Sequence, residues 1–430
     1  MTKKLAINGG EPVRREPFHP WPVADDREVG LVRSVLEGRI WSSDGPMERE
    51  FARRFARFCG ASYAICVANG SVALEIALRA VGVKPGDEVI VPALTWNATA
   101  WAVVQVGAFP VFADVSERDW CLDPRSVAKR LTDRTRAIIP VHLYHQIVEM
   151  EPFLRVAREA SLFIIEDCAH AHGARLSGQG AGTMGHVGTF SFQQSKPMTA
   201  GEGGALITND KSLARRIYAI AHGGNPLHRG GAVGFGGNYR CTELQAAVLL
   251  GQLHRLEEHL ERKARNISVL KERLGDVAGI APLPIRSSVT RLGLYALALR
   301  YDRDAFGGPT RGLLLRALRA EGIPAWRPYS VVYRSPQWRA GRRFIEWEAD
   351  ADPDRRLGLG ARCPTAEKIS EKEGIVLFHE VFLGTERDMA DVGEAFAKIQ
   401  RHAAELRFQG LHQRARDKAR NVLGRLGRQP

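Results

Sequence analysis

Lys196 is the residue whose type and setting most strongly suggest chemistry. It lies between two short apolar segments, residues 189–192 and 205–208, that are typical of buried strands. Pro197 disfavours helix at the lysine. A lysine removed from water has a lowered pKa, so its neutral amine can attack a carbonyl carbon and form a Schiff base. We therefore predict a nucleophilic amine at Lys196; an ordinary solvated lysine is the alternative.

Asp167 ends another apolar segment and could pair with a charged ring. The run Ile164-Ile165-Glu166-Asp167 predicts a buried strand with acids at its carboxyl end. A carboxylate there is costly to bury unless a cation or a hydrogen-bond donor accompanies it. A protonated pyridine nitrogen is such a partner, and the cationic ring would draw electrons from a substrate carbanion. His170 could reach the same ring, and helix capping is the alternative role for Asp167.

Four further residues could hold a flat, phosphorylated cofactor. Gly70 and Ser71 stand between a predicted strand and a predicted helix, where backbone amides and a hydroxyl can bind phosphate. An ordinary turn with a serine cap is the alternative. Ser191, five residues before Lys196, could donate to the same phosphate. Trp96 follows a predicted strand, at the edge where open α/β sheets bind ligands, and could stack on a ring; a core tryptophan is the alternative.

The elements that must position these residues alternate between strand-like and helix-like patterns from about Ala61 to Thr208. Alternation of this kind predicts an α/β fold with a mostly parallel sheet covered by helices on both faces. The predicted strands are Tyr63–Val67, Glu88–Val91, Pro110–Val115, Arg136–Val141, Leu162–Glu166, Thr189–Phe192 and Ala205–Thr208.

A long helical pattern from Thr242 to about Leu274 joins this region to the rest of the chain. Its first half is small and apolar and its second half is charged, as expected for a helix that crosses from one core to a second domain. The glycine-rich stretch 223–237 is predicted to be a mobile loop. The predicted divisions are an N-terminal arm (1–25), a large cofactor-binding domain (26–265), a smaller α+β domain (266–404) and a basic tail (405–430).

The composition is that of an ordinary globular protein. The chain of 430 residues is 44% hydrophobic and 25% charged, and it is too long for one simple core. It contains neither an apolar run of about 18 residues nor a signal peptide. Its six cysteines are scattered without a Cys-x-x-Cys pair, which argues against a zinc site and a disulfide framework. We predict a cytoplasmic protein without a metal.

The net charge of +13 raises the alternative of a non-enzymatic regulatory or nucleic-acid-binding protein. Such proteins cluster basic residues with aromatic ones on one element, whereas here they are spread along the chain. One concentration lies between Leu411 and Arg428. A solvated terminal helix explains it, and contact with an acidic partner or a phosphorylated substrate is the alternative. Because a nucleic-acid binder would leave Trp96, Asp167 and Lys196 unexplained, we predict no nucleic-acid partner.

The segment around the lysine also resembles a known family. The run Phe192 to Gly204, with Lys196 placed before Thr199-Ala200-Gly201-Glu202-Gly203-Gly204, is similar to the cofactor-lysine motif of the DegT/StrS aminotransferases. These sugar and cyclitol enzymes have the fold-type-I, aspartate-aminotransferase-like architecture. The resemblance implies a seven-stranded, mostly parallel sheet between helices. Further matching segments are Pro92–Trp96, Asp114-Val115, Pro140–Tyr144 and Glu166–Ala174.

The resemblance implies a role for the residues around the ring of the cofactor, which would be pyridoxal 5'-phosphate. Lys196 would hold the cofactor as a Schiff base and then act as the acid and base that moves a proton. Asp167 would pair with the pyridine nitrogen. Trp96 would stack on the ring, and His170 would lie near the 3-hydroxyl group. Lys196 and Asp167 are therefore the expected catalytic residues.

The resemblance also implies the phosphate ligands and the oligomeric state. Gly70, Ser71 and Ser191 would hold the phosphate, and Asn238 would be supplied by the neighbouring subunit. Because each site would then be built across an interface, we expect a homodimer.

The family moves an amino group from L-glutamine or L-glutamate to a ketone. Tyr333-Arg334-Ser335, Arg362-Cys363-Pro364 and Leu377-Phe378-His379 resemble two branches, the keto-inositol aminotransferases of aminoglycoside pathways and the aminohydroxybenzoate synthases. We expect a ketocyclitol similar to scyllo-inosose, or a free keto sugar, as acceptor. The alternatives are a nucleotide-linked keto sugar and an aminohydroxybenzoate-synthase-like reaction. A pyridoxal-dependent dehydratase would be expected to have histidine in place of Lys196.

Three residues depart from the family's pattern. Val72 stands where a hydroxyl residue is common, so the phosphate would lose one donor. His145 stands where glycine is usual, so the local turn or the substrate pocket is expected to differ. Pro197 directly after the lysine is also unusual.

Overall fold

The computed structural model describes residues 4–227, 234–341 and 357–406. Residues 228–233 of the predicted mobile loop lie outside this part of the chain, as does the basic tail beyond residue 406. The described residues form an α/β protein with one large sheet and two small ones, of four and three strands.

The strands of the described residues are short. In chain order they are β1 (Tyr63–Val67), β2 (Glu88–Pro92), β3 (Phe109–Ala113), β4 (Thr135–Ile138), β5 (Phe163–Asp167), β6 (Arg175–Leu176), β7 (Gln179–Gly180), β8 (Val187–Ser191), β9 (Gly204–Thr208), β10 (Ile280–Pro282), β11 (Val289–Arg291), β12 (Ala296–Tyr301), β13 (Ala325–Trp326) and β14 (Gly374–Phe378).

The helices vary more in length. In chain order the α-helices are α1 (Asp26–Gly38), α2 (Pro46–Cys59), α3 (Gly70–Ala80), α4 (Ala98–Gln105), α5 (Pro124–Ala128), α6 (Glu151–Ala160), α7 (Lys211–Ala221), α8 (Glu243–Leu274), α9 (Arg311–Ala320), α10 (Pro336–Gly341), α11 (Pro364–Lys368) and α12 (Glu386–Arg401). The described residues also contain three 3-10 segments, Ala6–Asn8, Val332–Arg334 and His379–Leu383, and one π-turn, Ile369–Glu373.

The large sheet has the strand order β1-β9-β8-β5-β4-β2-β3. The pairs from β8 through β5, β4 and β2 to β3 are parallel, and β9 is antiparallel to both of its neighbours. Every residue of β2, β8 and β9 is buried, as expected for strands covered by helices on both faces. This sheet confirms the predicted α/β fold with seven mostly parallel strands.

The predicted strand Arg136–Val141 is shorter than expected. Regular pairing of β4 ends at Ile138, and the chain beyond it makes an isolated bridge between Val141 and Asp167. Pro140 lacks the N–H that a continued ladder requires, which explains the early end. The bridge keeps Val141 beside Asp167, at the carboxyl edge of the sheet.

Helix α8 connects two apolar cores. Thr242 caps it, and Gln245 completes a capping box with the backbone N–H of Thr242. Leu249 of the first half packs in a core under the large sheet, whereas Ile267 and Leu270 pack in the core of the four-stranded sheet. The helix therefore crosses between two cores, as its change in composition predicted.

The four-stranded sheet is antiparallel, in the order β10-β12-β14-β13. Helices α9 and α12 pack against each other beside it, and the N-terminal arm is tied to this region because Arg14 contacts Asp388 and Asp391. The strand Ala296–Tyr301 and the helix Arg311–Ala320 lie where the sequence predicted a strand and a helix. The domain limits at residues 25, 265 and 404 stay predictions.

The six cysteines are all buried and none forms a disulfide. Among the described residues, no helix is both long and apolar enough to cross a membrane.

Candidate active site

A cavity of about 790 Å³ opens at the carboxyl edge of the large sheet. Parallel strands end at this edge, so side chains that follow β2 and β5 meet there. Seven predicted site residues line the cavity: Gly70, Ser71, Trp96, Asp167, His170, Ser191 and Lys196. The eighth, Asn238, does not line it; Asn238 pairs with His222 and accepts a hydrogen bond from Arg240.

Lys196 is the last residue of a tight turn, in which its backbone N–H donates to the carbonyl oxygen of Gln193 (2.8 Å). The side chain is buried, and its Nζ lies 4.3 Å from the centroid of the Tyr295 ring. Burial lowers the pKa of the amine to about 8, and the nearby carboxylate of Asp167 opposes this shift. Near neutral pH the amine therefore has a neutral, nucleophilic fraction far larger than that of a solvated lysine.

Asp167 lies at the end of β5 with its carboxylate held by two donors. The hydroxyl of Thr99 donates to Oδ2 (2.9 Å), and the N–H of Ala169 donates to Oδ1 (3.1 Å). Burial raises the pKa of this carboxyl, because these two hydrogen bonds and Lys196 only partly offset its loss of water. A cationic partner in the cavity would lower that pKa again and stabilise the carboxylate.

His170 is neutral and its tautomer is set by its neighbours. The backbone N–H of Tyr144 donates to Nδ1 (3.2 Å), so the ring proton lies on Nε2 and is donated to the hydroxyl oxygen of Tyr329 (3.1 Å). Burial lowers the pKa of His170 well below its usual value, and Lys196 lowers it further. The ring stacks on Tyr295 with centroids 3.9 Å apart.

The start of α3 forms a cradle beside Ser191. Asn69 caps the helix by accepting the N–H of Val72 (2.9 Å), while the first N–H groups of a helix, here those of Gly70 and Ser71, have no partner within it. A Cβ at Gly70 would lie only 2.6 Å from Cβ of Ser191. Glycine is therefore required for the helix start and the serine to approach this closely.

Trp96 is not a core tryptophan, because the residue is 59% exposed. It lies at the mouth of the cavity, and its ring centroid is 5.6 Å from that of Tyr329. The two rings bound the cavity from different parts of the chain, since Trp96 follows β2 and Tyr329 follows β13.

The departures from the family's pattern have different consequences. Val72 lines the cavity with an apolar side chain, so it offers no hydroxyl there. His145 is not among the lining residues; it is buried, and its Nδ1 accepts the N–H of Ala298 in β12 (3.3 Å). Burial lowers the pKa of His145 to about 4. His145 thus connects the loop after β4 to the four-stranded sheet and does not line the pocket. Pro197 is buried beside the lysine.

Sequence reasoning missed Tyr295 and Tyr329, which both line the cavity. They come from the region of the four-stranded sheet, and no local pattern distinguishes them from core tyrosines. It also left Glu166 unexplained. This acid is fully buried and accepts from the N–H groups of Gly182 and Met184 (2.8 Å each) and from His142 (2.9 Å). His142, Glu166 and Cys168 have metal-binding atoms close together, but the N–H of Gly185 is a fourth donor to Glu166, so each carboxylate oxygen already accepts two hydrogen bonds, which argues against a metal there.

Comparison with known proteins gives a consistent family. The model of the DegT/DnrJ/EryC1/StrS aminotransferase family matches residues 22–348. An L-glutamine:2-deoxy-scyllo-inosose aminotransferase of Streptomyces fradiae is 38% identical over 431 residues, which cover 94% of this chain and 100% of that protein. A Micromonospora echinospora protein, provisionally named as an L-glutamine:3-amino-2,3-dideoxy-scyllo-inosose aminotransferase, is 37% identical over 422 residues, 95% of this chain and 99% of that protein.

A solved structure agrees with these relatives. The crystal structure of 3-amino-5-hydroxybenzoic acid synthase is similar with a TM-score of 0.80 and 32% identity, and the match covers 90% of this chain and 100% of that chain. The match confirms the fold-type-I architecture. The chain therefore belongs to the DegT/DnrJ/EryC1/StrS aminotransferase family, whose members are in general pyridoxal-phosphate enzymes.

Proposed function

We propose that this aminotransferase binds pyridoxal phosphate through Lys196 and moves the amino group of L-glutamine to a ketocyclitol of the scyllo-inosose type. The observation that carries the proposal is the presence of a buried lysine and a buried aspartate, Lys196 and Asp167, in one cavity. Neither charge is cheap to bury, and a cofactor that bonds to the amine and offers a ring cation to the carboxylate accounts for both.

The residues of the cavity fit this cofactor. The cradle of Gly70, Ser71 and Ser191 offers amides, hydroxyls and the positive end of α3 to a phosphate. Asp167 would hold the pyridine nitrogen in its protonated form. His170 would lie near the 3-hydroxyl, and Trp96 would stack on the ring.

When bound, pyridoxal phosphate would supply an electron sink for a carbon that loses a proton. Lys196 would bind the cofactor covalently and then remove and return a proton at the substrate carbon that carries the nitrogen. Its pKa of about 8 suits both tasks near neutral pH, because the amine can accept and release a proton there. The ring of Tyr295 would stabilise the protonated amine through a cation–π contact.

Asn238 is proposed to complete the phosphate site of a neighbouring subunit in a homodimer. Its absence from the cavity of its own chain is consistent with that role. The test is to mix Lys196→Ala and Asn238→Ala subunits, each of low activity alone. Sites shared between subunits would restore part of the activity in mixed dimers, because one of the two sites is then intact. Unchanged activity on mixing would argue against shared sites.

A neutral polyol is the proposed acceptor because the cavity is rich in neutral polar groups. Among the described lining residues there is no arginine, and Lys196 is the only cationic side chain. Hydroxyls of Tyr295, Tyr329 and Ser195 and the amide of Gln193 suit the hydroxyls of a cyclitol. A nucleotide-linked sugar would bring a diphosphate, for which arginine is the usual partner.

The first experiment compares absorption spectra of the purified wild type and a Lys196→Ala variant, both loaded with pyridoxal phosphate. We expect a visible band in the wild type that disappears on adding L-glutamine and that the variant lacks. The Schiff base that pyridoxal phosphate forms with a free lysine derivative serves as the spectral reference. A wild type that stays colourless would contradict the proposal.

The second experiment identifies the acceptor. The glutamine-treated enzyme is offered 2-deoxy-scyllo-inosose, 3-amino-2,3-dideoxy-scyllo-inosose, scyllo-inosose and a nucleotide-linked keto sugar, and return of the visible band is followed. We expect a ketocyclitol to restore the band fastest. Restoration by the nucleotide-linked sugar alone would overturn the acceptor proposal while leaving the aminotransferase chemistry intact. L-Glutamate in place of L-glutamine tests the donor.

A further inference from the structure

A second buried lysine lies beneath the segment that carries Lys196. Lys263 of α8 and His379, the first residue of the 3-10 segment after β14, are both fully buried. Lys263 Nζ lies 3.1 Å from His379 Nδ1. Neither side chain lines the active-site cavity, so the proposed chemistry does not use them directly.

The hydrogen bonds of His379 leave one consistent arrangement of protons for a neutral ring. Its Nε2 lies 3.0 Å from the carbonyl oxygen of Ser195, which can only accept, so Nε2 must carry the proton. Nδ1 is then an acceptor, and Lys263 donates to it. Removing the lysine would leave Nδ1 buried without a donor, and the tautomer that serves Ser195 would no longer be favoured.

This pair is connected to both sides of the catalytic lysine. The His379 ring donates to the carbonyl oxygen of Ser195, the residue directly before Lys196, and the backbone N–H of His379 donates to the carbonyl oxygen of Tyr295 (3.0 Å). The Tyr295 ring is the one that lies against Lys196 Nζ. Trp21 of the N-terminal arm adds a third attachment, because its Nε1–H donates to the carbonyl oxygen of Gln194 (2.8 Å).

Few charges offset Lys263 in this enclosure. Burial lowers its pKa to about 7, and only Glu380, whose own pKa is raised by burial, opposes that shift. His172 and His259 also influence His379, and burial lowers the pKa of each of them. A buried amine without a paired carboxylate is costly, so its retention here requires an explanation.

We propose that Lys263 and His379 are a positioning pair for the catalytic lysine. The His379 ring, oriented by Lys263, fixes the Ser195 carbonyl, while the His379 backbone holds Tyr295, and together these contacts hold the Lys196 amine buried and against the tyrosine ring. The inference rests on the proposed role of Lys196. Small displacements of a reacting group have large kinetic effects, since a shift of about 1 Å can cost about 100-fold in rate.

The test uses Lys263→Met, with Lys271→Met as a matched control on the same helix. Lys271 is half-buried and contacts neither His379 nor the cavity. The first readout is competitive acylation of the cofactor-free protein across pH, which reports the pKa of the Lys196 amine by mass spectrometry. In Lys263→Met we expect the Lys196 midpoint to rise towards that of a solvated lysine, because the amine is held less deeply. Lys271→Met should keep the wild-type midpoint.

Two substitutions of the histidine separate positioning from packing. His379→Gln places an amide nitrogen near the former Nε2 and can still donate to Ser195, whereas His379→Asn is too short to do so. We expect His379→Gln to retain most of the wild-type behaviour. His379→Asn should reproduce Lys263→Met, with kcat lowered about tenfold and KM for L-glutamine little changed. Thermal melting identifies variants that fail to fold, and if His379→Asn does not fold, the comparison of Lys263→Met with Lys271→Met decides the test.

A Lys196 midpoint that stays at the wild-type value in both Lys263→Met and His379→Asn would overturn the inference, as would equal behaviour of the Gln and Asn variants. These outcomes differ from failure of the proposed function. If the wild type formed no visible band with pyridoxal phosphate, the acylation titration of the cofactor-free protein would still report whether the pair sets the state of Lys196.

Discussion

Lys196 and Lys263 are both buried, yet their surroundings make them suited to different roles. Burial lowers the pKa of Lys196 to about 8 and that of Lys263 to about 7. Lys196 lines an open cavity that also contains Asp167, whereas Lys263 is fully enclosed and donates to His379. A lowered pKa alone therefore does not identify a nucleophile; access to a ligand does.

The comparison also separates two kinds of electrostatic support. At Lys196 the acid lies across the cavity, where a ligand ring can come between the two groups. At Lys263 the hydrogen bond continues into backbone, through His379 to Ser195. The first arrangement can be changed by a ligand and the second is built into the fold. Chemistry and positioning are thus assigned to two amines of similar character.

Lys196→Ala is expected to have the largest effect. It removes the lysine that lines the cavity and leaves the enclosed Lys263 in place. We expect kcat to fall by about 10³-fold or more, because in the proposed mechanism the amine would both bind the cofactor and move the proton. Steady-state transamination of L-glutamine measures it. Thermal melting should show a folded protein, since removing a buried amine relieves desolvation. Activity within tenfold of wild type would break the distinction between the two lysines.

Asp167→Asn is expected to come next. The amide keeps the shape and the hydrogen bond from Thr99 but cannot hold a ring nitrogen in its protonated form. We expect kcat to fall by about 10²-fold, with cofactor still bound through Lys196. Single-turnover absorbance after adding L-glutamine isolates the proton-transfer step. A variant with wild-type kcat would show that the carboxylate has no part in the reaction.

Tyr329→Phe sharpens the comparison from the cavity side. The substitution removes the acceptor of the His170 Nε2–H while keeping the ring beside Trp96. Loss of one such hydrogen bond is worth about 1 kcal/mol, or about a fivefold change. We expect KM for the ketone to rise by about this factor, while kcat for the glutamine half-reaction stays nearly unaltered. An equal effect on both half-reactions would place Tyr329 in the cofactor site rather than in the acceptor site.

The smallest expected effect concerns stability and pH. The pKa of Lys263 falls from its ordinary 10.5 to about 7 in the folded protein, so between these values the unfolded chain binds more protons. The free energy of unfolding therefore rises with pH across this window, because the cost of burying the protonated amine is complete below pH 7 and is relieved as pH rises towards 10.5. Lys263→Met removes it. Urea unfolding of cofactor-free protein at pH 7.5 and 9.5 should show a smaller rise in the variant, whereas Lys211→Met, at an exposed lysine at the start of α7, should match wild type.

Much of this site could be predicted from the sequence because its residues lie in local patterns. Asp167 ends an apolar strand, and Lys196 lies between an apolar strand and a glycine-rich turn, so the fold brings them to one edge. Tyr329 and His379 could not be found in this way. Their roles depend on where the four-stranded sheet meets the large one, and a single sequence has no local signal for contacts of that separation.

The sequence patterns also could not predict where each strand or helix ends. The predicted strand to Val141 ends in regular pairing at Ile138, and the tie between His145 and Ala298 depends on a neighbouring sheet. His145 departs from the family's pattern, and the sequence alone allowed either a changed turn or a changed pocket. Its burial away from the cavity favours the first.

The two adjacent acids of β5 have a consequence for how the chain finds its native pairing. Successive side chains of a strand project to opposite sides, so Glu166 lies among amides and His142 while Asp167 lies in the cavity. A slip of one residue would exchange these places. It would leave one carboxylate short of its donors inside the protein. The catalytic arrangement therefore also selects against misaligned strands, and a folding intermediate with the wrong alignment would be penalised before any ligand binds.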